Sequence, residues 1–208
     1  RNKVRVKSFL YYHGVIIPER FSKTTNWSRQ FTRWLKALDL GTSSAKATLT
    51  SIIELVLFLR GKHLEILKLI RALSKQERYK TNVGLLMSIP GIGLVTAMTF
   101  LTEIEDMSRF KNLDRLCSYI GLVPMTNSSG DHDSIGPITK RQNKVLRSMI
   151  VESSWVAIRN DPALMLAYQK LIVRMQPSKA IVRIAKKMVN RMRYVLKNQT
   201  PYVKAVVE

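Results

Sequence analysis

A serine pair followed by glycine, Ser128-Ser129-Gly130, lies in a stretch without apolar periodicity, and Lys140, Arg141, Lys144 and Arg147 follow it closely. A hydroxyl beside clustered cations is what attack on a phosphodiester by serine requires: a nucleophile, and positive charge to hold the phosphate as negative charge develops. Gly136-Pro137 deliver the chain into a helix expected over 139–159. On that helix Lys140, Lys144 and Arg147, spaced by four and three, share one face, with Arg141 and Asn143 beside them. The same string also reads as a polar loop ahead of a helix. His132 and Asp133 follow Ser129 too closely in sequence to be assigned as triad partners.

A second candidate is Ile89-Pro90-Gly91-Ile92-Gly93, where Pro90-Gly91 ends one helix near Ser88 and Gly93 precedes another over Leu94–Ile104. A glycine-rich turn leaves unpaired N–H groups at the start of the second helix, and these can hold a phosphate. Gly91, Ile92 and Gly93 therefore form a candidate DNA-backbone contact, and the stretch resembles the helix-hairpin-helix motif. An ordinary helix turn is the alternative.

Helices are the elements that must position these groups. Amphipathic patterns cover 1–12, 26–38, 44–78, 113–120, 161–174 and 178–198, and 124–137 is read as a loop carrying the serines. Over 44–78 a heptad seam runs through Leu49, Val56, His63 and Ile70 and through Ile52, Leu59, Ile66 and Leu73. It fits either a helix packed on its own domain or a coiled coil, with His63 as a tolerated polar residue. The last helix sets Ile181, Ile184, Ala185, Met188, Met192, Val195 and Leu196 against Lys179, Arg183, Lys186, Lys187, Arg193 and Lys197. A solvated face usually mixes signs, so this acid-free one points to nucleic acid. With no long strand pattern the fold class is all-α: a long coiled-coil arm plus a compact helical domain containing the helix-hairpin-helix.

The formal net charge over 208 residues is +21, which points to a polyanion partner. Residues 1–80 carry 17 Lys+Arg against 5 Asp+Glu, 81–137 carry 3 against 6, and 138–208 carry 15 against 3. Cys117 is the one cysteine, which excludes an internal disulfide or a cysteine metal cluster. No segment has the apolar length of a membrane span, and basic residues spread over several helices argue against a membrane-surface helix.

Taken in order, IPGIG, RFKNLDRLCSYIGLVP, SSG and GPITKRQNKVLR resemble the C-terminal domain of the DEDD-type insertion-sequence transposases related to the Piv DNA invertase, bridge-RNA-guided recombinases. The resemblance covers residues 83–200, and the preceding coiled coil also fits that family's pattern. It implies that Ser129, just before glycine, is the nucleophile that forms a phosphoserine link to DNA. It further implies an N-terminal RuvC-like domain with four magnesium-binding acids, and a structured guide RNA. The chain departs from the pattern at Gln142, where glycine is common, and at Asp131, His132 and Asp133, where basic residues are common.

The expectation is a C-terminal transposase fragment starting at Arg1, with a basic helical arm over 1–80 and the serine-bearing domain over 81–208. Its DNA contacts are expected at Gly91, Ile92, Gly93, Lys140, Arg141, Asn143, Lys144, Arg147, Lys179, Arg183, Lys186 and Lys187. No cofactor binds this chain itself; magnesium belongs to the RuvC-like domain. The partners are DNA, a guide RNA and further copies of the chain, as a dimer or tetramer, without a membrane, in a prokaryotic cytoplasm at the nucleoid. The alternative is a non-catalytic DNA- or RNA-binding module or a decayed transposase.

Overall fold

The computed structural model describes residues 1–22, 27–129, 132–138 and 143–204, with backbone alone over Ser22, 125–129 and 132–138. The fold is all-α in architecture. Its helices are α1 (Asn2–Tyr12), α2 (Glu19–Ser22), α3 (Arg29–Ala37), α4 (Ser43–Leu73), α5 (Glu77–Met87), α6 (Leu94–Ile104), α7 (Leu113–Ile120), α8 (Lys144–Asn160), α9 (Pro162–Ile172) and α10 (Pro177–Asn198). One element was not expected. The stretch read as a loop forms a two-stranded antiparallel hairpin, β1 (Pro124–Ser129) and β2 (His132–Ile138).

The chain divides into two compact units, Arg1–Leu69 and Ile70–Glu208. The division falls inside α4, ahead of the boundary read at residue 80, because Ile70, Leu73 and Tyr79 pack on the core of the second unit.

In the first unit, Val6 and Leu10 of α1, Phe31 and Leu35 of α3, and Leu49, Ile53 and Val56 of α4 share a core with Phe21 and Trp27. Ser28 caps α3 by accepting the Phe31 N–H at 3.1 Å, and the Arg60 guanidinium donates to the Trp27 carbonyl at 2.6 Å. The heptad seam of α4 therefore serves two purposes. Leu49 and Val56 are consumed by this core, whereas Leu59 and Ile66 remain 45% and 54% exposed, with Leu55, Phe58, Leu64 and Leu69 also exposed.

In the second unit α10 is the central helix. It packs on α5, α7, α8 and α9. Its Ile181, Ile184, Ala185, Met188, Val189, Met192 and Val195 are buried, a stripe set by the 3.6-residue period. Caps set the other ends: Asn112 accepts the Arg115 N–H at 3.0 Å to open α7, and Gly121, at φ 87°, closes it in the left-handed conformation.

Asp161, 1% exposed, joins three helices. Its N–H bonds the Ala157 carbonyl at the end of α8, and its Oδ1 accepts the Leu164 N–H at 3.1 Å to open α9. Its Oδ2 accepts from the Arg191 guanidinium of α10 at 2.7 Å and from the Tyr202 hydroxyl at 2.7 Å. Arg191 also lies 4.8 Å from the Tyr202 ring centroid, and the Tyr202 N–H donates to Ser88 Oγ at 2.7 Å. Burial opposes ionisation of Asp161, but the Tyr202, Leu164 and Arg191 donors outweigh it, and its carboxyl titrates below the ordinary carboxylate range. Burial and the Asp161 bond push the Tyr202 hydroxyl up to about 12.

Removing the charge of Asp161 leaves Arg191 without its buried partner. Asp161→Asn is expected to destabilise the second unit by about 3–5 kcal/mol in chemical denaturation. Because the folded pKa of Asp161 is depressed, its contribution is complete above the ordinary carboxylate pKa and is lost as pH falls through the lowered value. The acid limb of the stability–pH curve should therefore be shallower in the variant than in the parent.

Candidate nucleic-acid interface

The serine pair sits at the end of β1. Ser129 pairs in register with His132 and Ser128 with Asp133, while Gly130 and Asp131 lie outside the described residues. β2 leads through 139–142 into α8, and Lys140, Arg141 and Gln142 are outside the description too. The helix expected from 139 starts at Lys144. Lys140 therefore lies before its first turn, and the shared helix face reduces to Lys144 and Arg147.

Asn143 has a structural reason for its identity. Its Oδ1 accepts the Leu146 N–H at 2.9 Å, capping α8, and its Nδ2 donates to Glu103 Oε2 at 2.6 Å. Glu103 lies in the last turn of α6, which ends at Glu105 with φ 57° and ψ −68° and an Asp106 N–H bonded to the Ile104 carbonyl. That is a γ-turn, a strained conformation for a residue with a side chain. It stops α6 beside the N-terminus of α8.

Lys144 is exposed and Arg147 half-buried, and no acid stands in the first turn of α8. Two cations at the positive end of a helix dipole are unfavourable by about 0.3–1 kcal/mol each. A bound anion reverses the sign of that effect.

The glycine-rich turn lies at the far end of the same helix. Gly91 has φ 89°, and a Cβ built there would stand 2.3 Å from the Ser153 carbonyl oxygen and 3.0 Å from the Ala157 nitrogen. Ser153 is ten residues beyond Asn143, about 15 Å along α8. The turn and the serine end are therefore separate places joined by one rigid helix. Gly91 is glycine because α8 leaves no room for a side chain, and Ile92, 5% exposed, belongs to the core. Gly93 alone of the three faces open space: it starts α6 at φ −93° with no side-chain cap, which leaves the first-turn N–H groups of that helix open. The adjoining groove is lined by Thr96, Ser148 and Ser153 and also by Glu152.

On α10, Lys179, Arg183 and Lys187 are exposed. Lys186 differs, because its ammonium bonds Asp114 Oδ1 at 2.8 Å, and that hydrogen bond holds its pKa above the ordinary lysine value. It is a link to α7 as well as a surface cation. Cys117 is no rival nucleophile: burial pushes its thiol up to about 11.

Residues 83–169 match the Transposase IS116/IS110/IS902 family. The matched segment runs from α5 through the hairpin and α8 into α9. The chain is also 28% identical over 154 residues to the y4qE protein of Sinorhizobium fredii, covering 74% of this chain and 35% of that one. It is 34% identical over 73 residues to the transposase for insertion sequence element IS1111A of Coxiella burnetii, 35% of this chain and 20% of the relative. It is 29% identical over 134 residues to the pilin gene-inverting protein of Moraxella bovis, 60% of this chain and 40% of the relative. The chain thus spans well under half the length of these curated relatives.

The two glycines of the turn should respond unequally to substitution. Gly91→Ala places a side chain at a left-handed backbone, which costs about 1–2 kcal/mol, and adds a clash with α8. Gly93→Ala meets no clash and has an ordinary φ, and should cost only the N-cap preference of glycine over alanine, about 1 kcal/mol or less. Equal melting temperatures for the two variants would refute the packing explanation.

Proposed function

We propose that this chain is the serine-bearing, nucleic-acid-handling part of a transposase or DNA recombinase. The observation that carries this reading is the family match over 83–169, which spans both Ser129 and the cationic start of α8. In this reading Ser129 Oγ attacks a DNA phosphodiester. A serine–phosphate bond forms, the sugar oxygen leaves with a proton, and Lys144 and Arg147, with Lys140 and Arg141, hold the phosphate. The segment α5–turn–α6 acts as a helix-hairpin-helix that grips a DNA backbone through the open N–H groups after Gly93. A structured guide RNA is a second nucleic-acid partner.

Magnesium is assigned to a RuvC-like domain outside this chain. Four acids of the second unit are already engaged: Glu103, Asp106, Asp114 and Asp161 by Asn143, Ser108, Lys186 and Arg191 respectively. No group of three or more possible metal ligands comes together among the described residues. No described helix is long and apolar enough to cross a bilayer.

The exposed middle of α4, Leu59 with Ile66, is proposed to pair with a second copy of the chain as a coiled coil. A non-catalytic binding module is the second reading. It is favoured by the sequence after Ser129, where Asp131 and Asp133 are acids at positions at which the resemblance leads one to expect basic residues.

Ser129→Ala in the full-length protein should abolish strand exchange while leaving DNA affinity within about two-fold, since the hydroxyl is needed for attack and not for charge. Unchanged recombination would leave the binding-module reading in its place. Light scattering tests the oligomer. The 208-residue chain should be larger than a monomer, and Leu59→Glu with Ile66→Glu should return it to monomer. A parent chain that is strictly monomeric would refute the coiled coil.

A further inference from the structure

The solvent face of α10 carries more than the cations that first marked it. Lys179, Arg183, Lys187, Asn190, Tyr194 and Lys197 are all exposed. Their spacings of four, four, three, four and three place them within one arc of the helix, opposite the buried stripe. From Lys179 to Lys197 the stripe is about 27 Å long. The helix contains no acid, and none of these four cations has a carboxylate partner among the described residues. Near the C-terminal end of the row stands Tyr194, 60% exposed, its ring in solvent and its backbone carbonyl bonded by Asn198 Nδ2 at 3.0 Å.

A folding role does not account for this side chain. The core stripe is complete without it, and its hydroxyl has no partner among the described residues, whereas Tyr202 of the same unit bonds Asp161. A planar aromatic ring amid unpaired cations is instead the pattern of single-strand binding surfaces. There, cations track the phosphates and the ring stacks on a base. A base inside a duplex is stacked on both sides and offers its face to no side chain, so a stacking tyrosine selects unpaired nucleotides.

We propose that this face of α10 binds an unpaired strand of nucleic acid, with Tyr194 stacking on an exposed base and Lys179, Arg183, Lys187 and Lys197 following its phosphates. The inference rests on the nucleic-acid reading above and deepens it by naming the form of the ligand. Lys186 stands outside the contact because Asp114 holds it. The shared ligand chemistry is a flexible phosphate backbone with an accessible base, which single-stranded DNA and the unpaired regions of RNA both supply.

The test uses the 208-residue chain with single-stranded DNA, single-stranded RNA and duplex DNA of one sequence, titrated across a salt series. Tyr194→Ala should weaken binding to at least one single strand by about 5- to 100-fold and leave duplex binding unchanged. Tyr194→Phe, which keeps the ring and loses the hydroxyl, should bind single strands as the parent does. Lys187→Gln should lower the single-strand salt slope by about 0.7. Which of the two single strands responds to Tyr194→Ala identifies the source of the ligand. Parent-like binding of both by Tyr194→Ala overturns the proposal. So does equal loss in Tyr194→Phe, which would mark a hydroxyl contact to phosphate, and so does equal loss on duplex. If the parent chain binds none of the three with salt-dependent affinity, the nucleic-acid reading itself fails, and this inference with it.

Discussion

The second unit depends on one buried carboxylate. Taking Asp161 out of water is costly, and its charge is tolerated only because every strong donor it needs is present at once: the Leu164 N–H, the Arg191 guanidinium and the Tyr202 hydroxyl. Such an arrangement is intolerant of small displacements. The end of α8, the start of α9, the middle of α10 and the segment at Tyr202 must all be in place for any one of the bonds to form. The Tyr202 N–H extends the tie to Ser88, next to the glycine-rich turn, so the same carboxylate also indirectly locates α5 against the rest.

With one end anchored in this way, α8 acts as a ruler. Its C-terminal half holds the turn at Gly91 through close backbone contact, and its N-terminal end is held by Asn143 and Glu103. The hairpin with Ser129 precedes that end in the sequence. The strained Glu105 fits this picture: α6 stops abruptly, in a conformation that disfavours a side chain, where Glu103 meets the cap of α8.

Most of the helices were legible because each carries its own signal. The apolar period marked α6 and α7 at their observed bounds, and Asp161-Pro162 marked the start of α9, since a capping acid followed by proline suits a helix N-terminus and little else. What escaped was non-local or faint. Gly130-Asp131 between two runs containing Thr126, Ile135 and Ile138 is a two-residue hairpin signal, but flanking serines and acids obscured the alternation. The start of α8 was placed too early because Lys140 fits the helical spacing, whereas the cap that decides the matter is Asn143. Gly91 looked like a place for a ligand backbone to approach. The backbone that approaches it is α8, and no local pattern reveals which helix will pack there. Three of the candidate positions, Ser129, Lys140 and Arg141, lie outside the residues whose side chains are described.

The distribution of charge completes the argument. A helix selected for stability alone would have an acid in its first turn and mixed signs on its open face. α8 begins with Lys144 and no acid, and α10 carries seven Lys and Arg and no acid. Each departure weakens the free protein slightly, through the helix dipole in one case and mutual repulsion in the other. Four acids of the second unit, Glu103, Asp106, Asp114 and Asp161, are instead engaged by Asn143, Ser108, Lys186 and Arg191, where they order the core and its edges. Among the described residues, Lys144 at the start of α8 and Lys179, Arg183, Lys187 and Lys197 of α10 have no carboxylate partner. Local rules broken without internal compensation are expected where an external partner supplies the missing charge. For a chain of net charge +21 the partner proposed above, a polyanion, is the one that would supply it.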